Sequence, residues 1–225
     1  MESLKTSLLL DLAHTITAPM LAKCIYPWEA LPLITDFILK LGDTLSEKEY
    51  DNPAENVWIH KSARAASSAS ISGPAIIGPG TEIRHCAFIR GSAIVGAGAV
   101  VGNSTELKNV ILFDGVQVPH YNYVGDSILG YKAHMGAGSI TSNVKSNKTL
   151  VVVKDGNGNI ETGMRKFGAI LGDHVEIGCN SVLNPGAVIG RGTQVYPLSS
   201  VRGCVPANSI YKSIPEGVEI CGIIA

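Results

Sequence analysis

Apolar residues recur at every sixth position between Ile59 and Val118, in one register over ten successive hexads. The first position of each hexad is held in turn by Ile59, Ala65, Ile71, Ile77, Ile83, Ile89, Val95, Val101, Leu107 and Phe113. The fifth position is small in most hexads and is held by Ala63, Ala69, Ala75, Thr81, Ala87, Ala93, Ala99 and Thr105. Such a fixed period indicates a solenoid, in which each repeat packs on its neighbours.

A short strand followed by a turn explains the six-residue period. Because a strand alternates its two faces, an aliphatic residue and a small residue four places later lie on the same face. Glycines such as Gly78 and Gly80 supply the turns. An amphipathic helix would repeat at about 3.6 residues, and each glycine in it would cost about 1 kcal/mol relative to alanine. The pattern therefore predicts a parallel β-helix whose coils lie about 4.8 Å apart.

The repeat is interrupted twice. Pro119 stops the first register, and the six-residue period returns at Tyr123. After Thr141 the repeat is suspended again, and residues 145–168 are predicted to form a hairpin arm before the coils resume at Leu171. A register break re-aims side chains outward, and long loops of this kind are usually functional. We therefore expect function near these interruptions.

Residues 1–56 do not carry the repeat. From Pro32 onward, apolar residues fall on one helical stripe that ends at Gly42, a residue typical of a helix C-terminus. We interpret residues 1–56 as a helical lead-in that caps the first coil, since an open β-helix end exposes both strand and core. Residues 57–206 are predicted to form the β-helix, and residues 207–225 a C-terminal cap.

Composition excludes several classes of partner. The 18 Lys and Arg against 19 Asp and Glu give a net charge of -1, which is unsuited to nucleic acid or an anionic membrane surface. No apolar segment approaches the length of a membrane span, and the N-terminus is poor material for a signal peptide. The five cysteines form no CxxC pair, which argues against a disulfide framework. We expect a cytoplasmic protein.

A polar and aromatic cluster near the first break is the candidate for chemistry. A bare β-helix has flat faces, so a small-molecule site needs a neighbouring subunit as its second wall, which implies a homo-oligomer. The candidates are Arg90, Glu106, Lys108, His120, Tyr123, Asp126 and Asn143. A neutral histidine can accept a proton from a nucleophile, but His120 is open to a second interpretation, as a structural residue in a turn. Arg90 and Lys108 stack on neighbouring coils, where paired cations suit a phosphate unless they are merely solvated surface charges.

A metal site is not expected. The histidines are His14, His60, His85, His120, His134 and His174, and none forms a close pair on one coil. A zinc site would therefore need His85, His120 and His134 to meet across a subunit interface.

Residues 71–205 contain four ordered motifs that are more specific than the hexads. They are FIRGSAIVGAGAVVGNSTELKNVIL, HYNYVGD, MGAGSITSN and KFGAILGDHVEIG. Together they resemble the acetyltransferase domain of the bifunctional N-acetylglucosamine-1-phosphate uridyltransferase/glucosamine-1-phosphate acetyltransferase family. The resemblance implies a left-handed β-helix; the period alone gives no handedness.

The resemblance also implies a homotrimer in which acetyl-CoA and a sugar phosphate meet between subunits. It assigns catalysis to His120 as the base, with Tyr123 and Asn143 positioning sugar and acetyl group. The implied substrate-binding residues are Arg90, Glu106, Lys108, Asp126 and Lys166, of which the three cations would hold phosphate. The implied cofactor-binding residues are Ala137, Cys179 and Pro197, with the backbone of Ala137 facing the thioester oxygen, as a tetrahedral intermediate demands.

Two positions depart from the family pattern: His134 stands where the family has an Asn, and Val144 where it has a Tyr. We also expect the nucleotidyltransferase half of the family to be missing. The sequence predicts an acetyl-CoA-dependent acetyltransferase acting on a hexosamine phosphate or a nucleotide-activated amino sugar. The alternative is a non-catalytic sugar-phosphate or nucleotide-sugar binding subunit that partners a separate sugar nucleotidyltransferase. An amine acceptor and a hydroxyl acceptor are both compatible with the sequence.

Overall fold

The computed structural model describes residues 1–156, 158–214 and 217–222, with backbone only for residues 213 and 214. Its main body is a parallel β-helix with three faces, and the predicted fold class, a left-handed β-helix with N-terminal helices and a hairpin arm, is confirmed. Asn157 in the predicted hairpin turn lies outside the described residues, as do residues 215, 216 and 223–225 of the predicted C-terminal cap.

Short strands stack along each face, and all but the first and the last strand of the chain run parallel to their neighbours. The first face holds β1 (Tyr50–Ala54), β2 (Val57–His60), β5 (Ala75–Ile77), β8 (Ala93–Val95), β17 (Ala169–Leu171), β20 (Ala187–Ile189) and β23 (Cys204–Val205). The second face holds β3 (Arg64–Ala65), β6 (Glu82–Ile83), β9 (Val100–Asn103), β11 (Gln117–His120), β13 (His134–Met135), β18 (Glu176–Ile177), β21 (Gln194–Val195), β24 (Ser209–Ile214) and β25 (Gly217–Gly222). The third face holds β4 (Ser70–Ile71), β7 (Phe88–Ile89), β14 (Ile140–Thr141), β19 (Val182–Leu183) and β22 (Ser200–Val201). Two longer strands, β10 (Glu106–Leu112) and β12 (Tyr123–Leu129), turn the corner from the third face to the first.

The hexad ladder fills the interior as the period predicts. Ile77 pairs with Val95, and Ile83 pairs with Val101, so each coil contains three hexads. From Ile77 to Phe113 the first hexad positions are at most 1% exposed. In the first coil the corresponding residues are only partly covered or exposed, because no preceding coil packs on them.

The break in the hexad register that was predicted at Pro119 occurs earlier in the chain, at Asn109. Ile89 pairs with Leu107, three hexads later, but Val95 pairs with Leu112, one residue short of three hexads. The lost residue lies at the corner formed by Asn109, which adopts a left-handed conformation with φ 54°. The unbroken register predicted up to Val118 is therefore wrong, because the corner at Asn109 is shorter than the corner above it.

The N-terminal segment lies along the flank of the β-helix. Its helices are α1 (Thr6–Leu9), α2 (Ala18–Leu21) and α3 (Ile34–Gly42), with 3₁₀ segments at Glu2–Leu4, Leu12–His14 and Pro27–Leu33. The carbonyl of Leu9 accepts from the Asp173 amide, and Gly42 packs against Trp58 of the first coil. The segment therefore contacts coils along much of the solenoid, while β1 pairs antiparallel with β2 and covers the open strand edge.

The hairpin arm packs on the coils. Its strands are β15 (Val152–Lys154) and β16 (Asn159–Glu161), paired antiparallel. Val151 and Val153 are fully buried, and Val151 lies against Gly186, where an added Cβ would come within 2.7 Å of it. The arm is therefore held against the later coils.

Candidate active site

Asp126 is the centre of a polar network at the corner between the third and first faces. Its carboxylate accepts hydrogen bonds from Lys108 at 3.1 Å, from Asn109 at 2.9 Å and from Asn143 at 2.5 Å. Asp126 is only 4% exposed and has φ 47°, in the left-handed region where a short polar side chain is tolerated. The corner at Asn109 is one residue shorter than the corner above it. Lys108 pairs with Gly125, so the next residue, Asn109, stacks directly on Asp126.

Two of the three cations predicted to hold phosphate, Arg90 and Lys108, have carboxylate partners in the isolated protomer. Arg90 donates to Glu106 at 2.6 Å on the next coil, and this hydrogen bond raises the pKa of its guanidinium. The Arg90–Glu106 pair is exposed, while the Lys108–Asp126 pair is largely covered. The stacking of Arg90 on Lys108 follows from the pairing of Ile89 with Leu107.

Tyr123 links the two ion pairs. Its hydroxyl accepts a hydrogen bond from Asn143 at 3.2 Å, and Tyr123 itself pairs with Glu106 in the parallel ladder of β10 and β12. Burial raises the pKa of the Tyr123 phenol, and the nearby charges of Asp126 and Glu106 raise it further. The phenol is therefore protonated over the physiological range, with a proton to donate to a ligand.

A second group of predicted residues forms a column on the second face. His120 pairs with Asn103, and the registers of the following strands place Ala137, Cys179 and Pro197 below it on successive coils. The carbonyls of His120, Ala137 and Cys179 each accept a hydrogen bond from the next coil, at 3.0, 2.9 and 2.9 Å. At about 4.8 Å per coil, the column from His120 to Pro197 spans about 14 Å.

The column is open to solvent. His120, Cys179 and Pro197 are exposed, and Ala137 is half-buried. Within the described part of the chain, the amide N–H of Ala137 has no hydrogen-bond acceptor, whereas the amide of Ala97 donates to Asp114 at 2.7 Å. A backbone donor of this kind can bind the oxygen of a carbonyl group.

Asn122 positions His120 and was not singled out from the sequence. Its side chain is buried, donates to the Gly136 and Ser139 carbonyls at 2.8 and 3.1 Å, and accepts from the His120 amide at 3.1 Å. Its position within the motif HYNYVGD could have identified it from the sequence. Asn109 was also missed, because its role depends on the shortened corner.

The structure thus brings the predicted residues together in two groups, the Asp126 network and the His120 column, on either side of the corner at Tyr121 and Asn122. Lys166 makes no hydrogen bond or ion pair with either group among the described residues. It is exposed and precedes Phe167, whose amide donates to the Asn143 carbonyl at 3.0 Å.

The two departures from the family pattern have different surroundings. His134 shares a hydrogen bond with Glu176 at 2.8 Å on the next coil, whereas Val144 is 43% exposed. Across the residues described, no cluster of three or more His, Cys, Asp or Glu could hold a metal ion, and no helix is both long and apolar enough to cross a bilayer.

Comparison with known proteins identifies relatives for this arrangement. Residues 71–177 match the family described as the GMPPB C-terminal domain. Over 172 residues, the chain is 35% identical to the bifunctional protein GlmU of Methanococcus maripaludis. Over this region the chain is similar to GlmU. The resemblance predicted from the motifs is confirmed.

GlmU and its relatives are longer than the aligned region. The match covers 76% of this chain and 42% of the M. maripaludis GlmU. A bifunctional sugar-1-phosphate nucleotidylyltransferase/acetyltransferase of Sulfurisphaera tokodaii is 33% identical over 126 residues, which cover 56% of this chain and 31% of that protein. The aligned part of the chain therefore covers less than half the length of either relative.

Solved structures provide a more distant likeness. A mutant of AntD, an N-acyltransferase from Bacillus cereus in complex with dTDP and coenzyme A, aligns with 21% identity and a TM-score of 0.41, over 79% of this chain and 90% of AntD. The acetyltransferase domain of PglB from Neisseria gonorrhoeae aligns with 15% identity and a TM-score of 0.38, over 73% of this chain and 57% of that domain.

Proposed function

We propose that the protein is an acetyl-CoA-dependent N-acetyltransferase acting on an amino sugar that carries a phosphate or a nucleotide. The observation that carries the proposal is the column on the second face. An exposed imidazole, His120, stands one coil above the Ala137 amide, which has no acceptor among the described residues, and above the exposed Cys179. A base and an oxyanion donor on adjacent coils are the two groups that acyl transfer requires.

The chemistry follows from these positions. His120 takes a proton from the amine nitrogen as that nitrogen attacks the thioester carbon. The N–C bond forms, the Ala137 N–H stabilises the negative oxygen of the tetrahedral intermediate, and the C–S bond then breaks. The sulfur leaves as a thiolate and accepts the proton from His120. The pantetheine arm would lie along the column past Cys179 and Pro197.

The Asp126 network would bind the sugar. Tyr123 keeps a donatable proton, and Asn143 is oriented by Asp126 and by the Phe167 amide. Because the network and the column are separated by a corner, we propose that a complete site forms in the cleft between protomers of a homotrimer, with Lys166 contributing from the loop.

Thiol release from acetyl-CoA tests the proposal. The acceptors are glucosamine-1-phosphate, UDP-linked glucosamine, and glucose-1-phosphate, which offers only hydroxyl groups. Transfer should require the amine, and His120→Ala should lower turnover about 10²–10⁴-fold, as expected for loss of a general base. His60→Ala, at a half-buried position on the first coil, far from the column, is the matched control and should keep full activity. Absence of turnover with both amines would contradict the proposal.

The alternative is a non-catalytic subunit that binds a sugar phosphate or nucleotide sugar and associates with a separate nucleotidyltransferase. The observation that favours it is that Arg90 and Lys108 each already contact a carboxylate. The same assay distinguishes the two functions, because ligand binding without thiol release in the wild-type protein supports the subunit.

A further inference from the structure

A shallow groove lies above His120 on the second face. It has a volume of about 580 Å³ and is lined by Arg64, Glu82, Arg84, His85 and Asn103, with apolar residues between them. These residues belong to the first coils of the solenoid, on strands β3, β6 and β9 or directly after β6. None of them is part of the Asp126 network or of the column from His120 to Pro197.

The groove continues the His120 column upward. Ile83 pairs with Val101 and His120 pairs with Asn103, so His85, Asn103 and His120 occupy equivalent positions on three successive coils. The His85 carbonyl accepts from Ser104 at 3.2 Å, and the Asn103 carbonyl accepts from Tyr121 at 2.8 Å. His85 is therefore about 10 Å from His120 along the coil axis.

The groove carries excess positive charge. Arg84 pairs with Glu82 at 3.1 Å, whereas Arg64 has no carboxylate within 4 Å among the residues that the structure describes. One carboxylate thus faces two guanidinium groups. In contrast, Arg90 and Lys108 each have a partner of their own. A free guanidinium fork suits bidentate binding of phosphate oxygens.

An exposed aromatic ring borders the groove. Tyr121 is 64% exposed, and the Asn103 amide donates to its hydroxyl at 3.4 Å. Its left-handed backbone, with φ 51°, turns the ring away from the coil interior at the corner next to His120. Exposed aromatic rings stack on the flat faces of nucleobases and sugars.

We propose that this groove binds the diphosphate of a nucleotide-linked amino sugar, with the amine directed down the column to His120. The inference rests on the proposed function, and it names the acceptor class that the function leaves open. The coenzyme lies below His120 and the diphosphate above it. The hexose then lies between them in the subunit cleft, where the Asp126 network of a neighbouring protomer would contact it. The ~10 Å between His85 and His120 suits a hexose with its anomeric diphosphate.

Nucleotide binding tests the proposal directly. UDP, dTDP and GDP are titrated into the wild-type protein, into the double variant Arg64→Gln with Arg84→Gln, and into Arg202→Gln. Arg202 is an exposed arginine on the last coils and serves as the matched control. At least one nucleotide should bind the wild type, and the double variant should bind it roughly tenfold to a hundredfold more weakly, because charge-assisted hydrogen bonds are lost. Arg202→Gln should bind as the wild type does.

Acetyl transfer is measured on the same proteins. The double variant should raise the KM for UDP-linked glucosamine by a similar factor, while kcat and the KM for acetyl-CoA stay within twofold of the wild type. The inference is overturned if no nucleoside diphosphate binds, or if the double variant binds as tightly as Arg202→Gln, even where glucosamine-1-phosphate is acetylated. Nucleotide binding that is lost in the double variant, without acetyl transfer to any amine, would support the groove and contradict the proposed activity.

Discussion

The ammonium of Lys108 lies 3.1 Å from the carboxylate of Asp126 on the next coil, and the Asp126 side chain is only 5% exposed. Asn109 and Asn143 donate to the same carboxylate. A buried carboxylate with three donors is well satisfied, and removal of the acceptor leaves those donors without a partner. Asp126 therefore stabilises the corner that holds the candidate sugar site.

Two replacements of Asp126 distinguish the contribution of its carboxylate from that of its left-handed backbone conformation. Asp126→Ala should destabilise the protein by about 2 kcal/mol from lost hydrogen bonds, and by about 1 kcal/mol more because alanine disfavours the left-handed conformation. Asp126→Asn tolerates that conformation and keeps one acceptor, so it should cost about 1 kcal/mol. Urea unfolding measures both values. Equal decreases in the free energy of unfolding for the two variants would contradict the stabilising role of Asp126 at this corner.

A second buried carboxylate, Asp173, binds the N-terminal segment to the coils. It accepts from the amides of Asp11 and Tyr131, each at 2.8 Å, and from Arg191 at 3.0 Å. Burial nevertheless raises its pKa from 3.8, and the hydrogen bonds oppose that rise. A raised carboxyl pKa contributes stability below the unfolded value of 3.8, and this contribution is lost as the pH rises through the folded pKa.

Asp173→Asn should change the pH dependence of stability. The asparagine does not titrate, so the Tm of the variant relative to the wild type should rise as the pH increases above about 4, where the wild type must ionise a buried carboxyl group. Differential scanning calorimetry across this range measures the difference. Asp36→Asn, at an exposed position, should show no such trend. A difference in Tm between Asp173→Asn and the wild type that does not change with pH would contradict a raised pKa for Asp173.

Trp28 joins the N-terminal segment to the loop beside the site. It is 2% exposed, stacks on Tyr26, and lies 5.8 Å from the ring of the buried Phe167. Trp28→Ala should destabilise the protein by about 3–5 kcal/mol, as is usual for truncation of a buried aromatic residue. Leu8→Ala, in the same segment but 50% exposed, should cost less than about 0.5 kcal/mol. Similar thermal shifts for the two variants would show that Trp28 is not a core residue.

The coil architecture was predictable because the hexad is a local rule. Each aliphatic residue from Ile77 to Leu107 needs only its own strand and the coils next to it. The corner at Asn109 was not predictable, since the hexad letters continue through Val110 and Phe113 while the pairing slips by one residue. A slip of this kind depends on corner geometry, which the apolar pattern does not encode.

The site was predictable in its residues but not in its arrangement. The motif HYNYVGD pointed to His120, Tyr123 and Asp126, yet the structure divides them between two faces. The pairing of Arg90 with Glu106 was missed because the two residues are 16 positions apart, and only the coil register brings them together. The flank position of the N-terminal segment was equally hidden, since it depends on contacts such as Leu9 with Asp173.

Thiol labelling gives a test of the coenzyme column that does not depend on turnover. Cys86 and Cys179 are exposed, and Cys86 lies several coils above Cys179. Burial raises the pKa of the Cys204 thiol to about 12, with a further contribution from Asp155, so Cys204 should label slowly because the thiolate is the reactive form. Cys24 and Cys221 are partly buried, so the fast phase of labelling should come from Cys86 and Cys179.

Coenzyme A should protect Cys179 and leave Cys86 unchanged, because a pantetheine arm along the column would cover Ala137, Cys179 and Pro197. The labelled protein is digested, and each cysteine is quantified by mass spectrometry with and without desulfo-coenzyme A, which lacks the competing thiol. Cys86 is the internal control for any direct effect of the ligand on the reagent. Protection of both cysteines, or of neither at saturating ligand, would contradict a coenzyme site on this column. Selective protection would locate the coenzyme below His120 whether or not an acceptor has been found.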